Sequence, residues 1–154
     1  MTTFHKISVA VLLLSACVPL SLHAQNLEGT WVRKRAASAG GGMTMTVEPC
    51  CHGGHRLTYH IQGGPQPIVL TVDSPFDGTE VPVMMGGKPS GETMAIKRLD
   101  DHHTYTVLKM NGKPFGTSKA TLSDDGKTLN IDDEFTSNEG GHTPGKSTET
   151  WTKK

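Results

Sequence analysis

The sequence predicts an all-β domain of nine or ten short strands, folded as a barrel or a sandwich. Three observations carry that prediction. Apolar and polar residues alternate with period two in one segment after another. Turn signals separate those segments at about 8–12 residues. A Gly29-Thr30-Trp31 opening strand is answered by Glu149-Thr150-Trp151 near the other end, which suggests a sheet whose first and last strands meet.

In chain order, residues 1–24 read as a removable signal peptide. A short basic start containing Lys6 precedes an apolar run interrupted by Pro19, and Leu22-His23-Ala24 offers a cleavage site that leaves Gln25 first. The run is too short and too broken for a transmembrane helix, which needs about 20 apolar residues. A second reading lies within it: Leu14-Ser15-Ala16-Cys17 resembles the bacterial lipobox, with Cys17 lipidated and anchoring the protein to a membrane. Cleavage after Ala24 is preferred, because the whole leader then follows one plan. Export to a periplasm or beyond is the expected localisation, with residues 25–154 as a single β-domain of one core.

The strands follow. Met43, Met45 and Val47 alternate with Thr44, Thr46 and Glu48, and Leu57, Tyr59 and Ile61 with Arg56, Thr58 and His60. Ile68, Leu70 and Val72 come next, then Met94 and Ile96. Tyr105 and Val107 are set against Thr104 and Thr106, and Ala120 and Leu122 precede Leu129 and Ile131. Such alternation marks one buried and one wet face, with threonine on the wet one. No window shows helical spacing. Asn111-Gly112 and Asp124-Asp125-Gly126 are hairpin turns, the first because a type I′ turn needs positive φ at both central residues. Met85-Gly86-Gly87-Lys88-Pro89-Ser90-Gly91 is echoed by Met110-Asn111-Gly112-Lys113-Pro114-Phe115-Gly116, read as one turn chemistry used twice. Each Lys-Pro belongs at a strand start, since proline cannot donate to a ladder.

Charge is balanced over the chain, and removal of Lys6 with the leader leaves acids in slight excess. With no basic stripe carrying interleaved aromatics, nucleic acid is not an expected partner.

The leader, Gly29-Thr30-Trp31, the successive hairpins and Phe76-Asp77-Gly78-Thr79-Glu80-Val81-Pro82 resemble a group of small secreted bacterial proteins described as lipocalin-like. The resemblance spans most of the mature chain as a pattern, with Gly29 and Trp31 as the motif residues. It implies an antiparallel up-and-down barrel of about 8–10 strands, with the β-sandwich as the alternative. It also implies a barrel floor built on Gly29, Trp31 and Trp151, with a basic side chain from the last strand over the indole. Lys146, Lys153 or Lys154 would take that place, where lipocalins use an arginine. The group has no settled activity, so the resemblance implies fold more than function.

Chemistry has one conspicuous candidate, Cys50-Cys51-His52-Gly53-Gly54-His55. Thiolates and imidazoles suit zinc or copper(I), but adjacent cysteines chelate poorly, and zinc sites space them by two to four residues. A vicinal Cys50–Cys51 disulfide is strained, because adjacent Cα atoms are about 3.8 Å apart and disulfides prefer about 4.4–6.8 Å. The readings rank as a loop without chemistry, then a vicinal disulfide, then a metal site. Asp100-Asp101-His102-His103 reads as a solvated hairpin, Asp132-Asp133-Glu134 as a wet strand end, and the methionines as core filling. No nucleophile elbow, paired carboxylates or cofactor loop stands out, so neither an enzyme nor a cofactor is expected. The leading expectation is an exported barrel, binding a small apolar ligand or serving as an accessory protein. The alternatives are a redox or metal protein working through Cys50–His55 and a structural lipoprotein held by Cys17.

Overall fold

A computed structural model describes residues 27–34 and 42–154, apart from the side chain of His52. The leader, Cys17 and the cleavage site lie outside the described residues. Within them the chain makes ten strands: β1 Gly29–Arg33, β2 Met43–Cys50, β3 Gly54–Ile61, β4 Ile68–Ser74, β5 Asp77–Met85, β6 Lys88–Arg98, β7 His103–Met110, β8 Lys113–Leu122, β9 Thr128–Phe135 and β10 Gly145–Lys153. Each pairs antiparallel with its neighbour in sequence, and β10 returns to β1, so the sheet closes into an up-and-down barrel. Closure removes the exposed edges that an open sheet or sandwich would have to protect.

The turns do what their sequences require. Asn111 and Gly112 have φ of 50° and 80°, and Gly86 and Gly87 have 56° and 80°, so both repeated heptapeptides place a left-handed pair at a hairpin tip. Lys88-Pro89 and Lys113-Pro114 then open β6 and β8. The type I′ turn needs only two residues, and β6 takes up the rest of the repeat.

Period two decides the wall. Met43, Met45, Leu57, Leu70, Met94, Ile96, Ala120 and Ile131 face inward, while Thr44, Thr46, Thr58, His60, Lys97 and Lys119 occupy the alternate positions. An outward polar face is the reverse of a strand that meets lipid. Among the described residues no helix is long and apolar enough to cross a membrane.

In β7 the expected phase is inverted. Thr104, Thr106 and Leu108 line the interior, and Tyr105 and Val107 face out. The register explains it: Thr106 sits opposite Ile96 and Leu108 opposite Met94, and directly opposed residues share a face. Ile68 is likewise 44% exposed, because β4 begins at the rim. The wall is thinnest between β4 and β5, where bridged pairs are confined to Leu70–Met85 and Thr71–Met84. Pro82 supplies no N–H there, and the pairing of β5 with β6 shifts register on both sides of it.

One end is sealed where β1 meets β10. Trp31 is 0% and Trp151 1% exposed, packed with Met45, Val47, Leu57, Leu122 and Leu129. Trp31 Nε1–H donates to Leu27 O at 2.9 Å, so the indole is buried without an orphaned donor. Lys153 Nζ lies 5.3 Å from the Trp31 ring centroid, a cation–π distance. Of the three lysines considered, Lys153 takes this place. Gly29 makes room for it: at φ 124°, a Cβ there would meet Lys153 Cε at 2.8 Å. Trp31→Ala is expected to cost about 3–5 kcal/mol in urea unfolding; a loss well under 1 kcal/mol would mean the floor does not depend on the indole.

Candidate functional site

The barrel is not filled. A cavity of about 530 Å³ runs through the lumen, within the range of small-molecule sites. Its two flanks differ because the inward positions of the two halves of the sheet differ. Strands β2 to β4 contribute Met43, Met45, Leu57, Tyr59, Ile61 and Leu70. Strands β7 to β10 set Thr104, Thr106, Ser118, Asp133, Ser147 and Glu149 among apolar residues that include Leu108, Ala120, Leu129 and Ile131. Glu92 and Met94 of β6 and Arg33 of β1 adjoin the polar side.

The polar groups are partly paired. Arg33 Nη1 donates to Glu149 Oε1 at 2.6 Å. The other Glu149 oxygen accepts from Trp151 Nε1–H at 3.2 Å. This ties the floor to the polar flank, and Tyr59 meets Trp151 edge-on at 6.5 Å between centroids. Asp133 stands directly opposite Ser118 of β8 and Ser147 of β10, and the Ser118 hydroxyl donates to it. Burial pushes the Asp133 carboxyl up to about 6, against the Ser118 hydrogen bond and with help from Glu149 and Asp132. Burial alone raises Glu92. Tyr59 keeps some surface on the cavity, yet it lies so deep among protein atoms that burial, then the charges of Glu149, Glu92 and Asp133, raise its phenol well above the ordinary value. At one mouth His142 stacks on Phe135 at 4.0 Å, with Phe115 alongside Phe135 at 6.1 Å, and burial lowers the imidazole.

Asp133 corrects the sequence reading. It is a half-buried lumen carboxylate instead of a wet strand end, because it continues the inward phase of Leu129 and Ile131. Glu92 precedes Met94, Glu149 precedes Trp151 and Arg33 follows Trp31, each by two residues. Extending the same alternation would have found them all.

The cysteine loop is a separate feature. Cys50 ends β2, Cys51 begins a single 3₁₀ turn at φ 32°, and their sulfurs are joined as a vicinal disulfide. A disulfide offers no thiolate to a metal. Among the described residues, Asp73 is the acidic side chain grouped with the two sulfurs, all within 4.8 Å. Both its oxygens are held by Arg56, at 2.7 Å each, which lowers its pKa. His55 shares the inner face of β3 and stacks on Phe76 at 5.0 Å. Its Nε2 is 3.5 Å from Glu28, and its buried Nδ1 has no hydrogen-bond partner among the described residues. The loop therefore does not gather the Cys and His candidates into one ligand set among the described residues. The Asp100 hairpin is the solvated turn expected: Asp100 Oδ1 accepts from the His102 and His103 amides, both at 2.8 Å, and bonds His103 Nδ1.

Comparison with protein-family models, curated proteins and solved structures returned no match to this chain.

Asp133 makes stability depend on pH. The folded protein holds this proton more tightly than the unfolded chain, so its contribution is fully present below the ordinary value of 3.8 and is lost as pH rises through about 6. Full linkage would be about 3 kcal/mol, and water reaching the half-buried carboxyl reduces it to about 1 kcal/mol. Asp133→Asn is therefore expected to be about 1 kcal/mol more stable than wild type above neutrality and equal to it in acid. Urea unfolding across that range checks this, and a variant equally stable at both ends would place Asp133 in water.

Proposed function

We propose that the protein is an exported, non-enzymatic carrier that holds one small, largely apolar molecule in its lumen, in the manner of lipocalin-like proteins. The observation that supports this is the cavity of about 530 Å³, bounded by Met43, Met45, Leu57, Ile61 and Leu70. A lumen packed with aliphatic side chains would leave nothing to bind, and dense packing is what protein interiors ordinarily achieve. An open apolar lumen forgoes those contacts unless a ligand supplies them. The resemblance of the leader and the Gly29-x-Trp31 floor to the secreted lipocalin-like group agrees with this reading.

N-phenyl-1-naphthylamine, an uncharged apolar fluorophore near neutral pH, is expected to brighten on binding. Ala120→Phe, which pushes a ring into the lumen from β8, is expected to weaken that binding by about tenfold or more while leaving the melting temperature close to wild type. Equal binding by a folded Ala120→Phe protein would move the site out of the barrel.

A second reading rests on the vicinal pair: a reversible Cys50–Cys51 switch in the 3₁₀ turn, of the kind associated with labile disulfides. The proposed export bears on both readings. Mature protein recovered from outside the cytoplasm is expected to begin at Gln25 and to react with iodoacetamide at Cys50 and Cys51 only after reduction. A lipid-bearing N-terminus at Cys17 would instead support the anchored form, and thiols reactive without reduction would remove the switch.

A further inference from the structure

We propose that the molecule carried in the lumen is an organic cation, an amine on an apolar body, with its charged head against Glu92 and Asp133 and its body along β2 to β4. The inference rests on the carrier reading and adds the chemistry of the ligand. Charge in the lumen is unevenly matched. Arg33 is already engaged by Glu149 at 2.6 Å, and the second Glu149 oxygen is satisfied by Trp151. Among the described residues Asp133 has one hydrogen-bond partner, the Ser118 hydroxyl. The Glu92 carboxylate makes no hydrogen bond or ion pair among the described residues, and burial is the cause of its raised pKa. No lysine is among the described residues around the cavity. Arg98 also borders the cavity, but at the exposed end of the same strand as Glu92, about 20 Å from it along an extended backbone. Two half-buried carboxylates thus face the lumen without a protein cation to balance them, a costly arrangement for groups removed from water.

Tyr59 gives the independent indication of a ligand. It projects from the apolar flank, borders the cavity, and its hydroxyl makes no hydrogen bond among the described residues. Tyr59, Glu92, Asp133 and Glu149 all border the same cavity, and the charges of the three acids act on the phenol. An ammonium head beside the Tyr59 oxygen could donate to it and to one carboxylate while lying in the field of the other. The rings of Tyr59 and Trp151, edge to face at 6.5 Å, add surfaces that attract cations. A carboxylate ligand would instead meet two like charges, and a neutral one would leave both acids unpaired in a drier lumen.

The test is displacement of N-phenyl-1-naphthylamine by decylamine, decanol and decanoate near neutral pH, which share one chain length and differ in head charge. Decylamine is expected to compete at about tenfold lower concentration than decanoate. Asp133→Asn and Glu92→Gln, each checked for an unchanged melt or a more stable one, are expected to erode that preference several-fold while decanol stays within about twofold. Decanoate matching or exceeding decylamine would overturn the inference, as would a preference that survives in the double variant. Decanol binding without any preference for the amine sinks the cation proposal and leaves the carrier reading standing. Failure of the fluorophore and all three competitors to bind removes both.

Discussion

The structure depends on the meeting of β1 with β10. Strand β1 is five residues long, and its register with β10 couples Trp31 to Lys153 and Arg33 to Trp151. So short a seam is held by what lies behind it more than by its ladder. Trp31 and Trp151 supply the largest buried surfaces in the interior, and burial of that size is worth several kcal/mol per ring. Lys153 crosses above Gly29 to cover the indole, so a residue with no side chain is part of the closure. Had the seam stayed open, β1 and β10 would each present an unpaired edge, and the lumen would be a cleft.

Closure also explains the polar side of the lumen. The Arg33–Glu149 pair lies next to the two tryptophans in sequence, so the residues that shut the floor also set the charges above it. That pair is matched, and its cost is offset by close geometry. Asp133 and Glu92 are different, since burial raises both without an opposing cation. A protein selected for stability alone would do better with apolar residues at these positions. Strain of this sort concentrates where side chains are kept for a purpose other than folding.

The backbone plan was legible because period two and turn chemistry are local. Strands, hairpin tips and the phase of β2, β3, β6, β8 and β9 follow from residues within reach of one another along the chain. The phase of β7 was not legible. Threonine and tyrosine both suit a strand, and Thr104-Tyr105-Thr106-Val107 gives no local reason to prefer one face. Only its register with β6 decides, and register is a property of two strands. The carboxylate site was hidden by a related habit, reading acids as solvent-facing. Asp133 occupies the same phase as Leu129 and Ile131, and its residue type outweighed its position in the pattern.

The cysteine loop shows the opposite error of attention. Its residue types were the most suggestive in the chain, yet it sits at the outer end of β2, with Cys51 and Asp73 exposed and Arg56 holding both Asp73 oxygens. The lumen carries commoner residues in a rarer setting. A carboxylate in water is ordinary, whereas one in a half-dry cavity, facing a phenol with no hydrogen bond among the described residues, exerts a field that solvent screens less. Function in a barrel of this size is therefore sought where alternation brings polar groups inward against an apolar wall. Here the candidate place is the space bordered by Tyr59, Glu92 and Asp133, in the barrel that the Trp31–Trp151 floor closes.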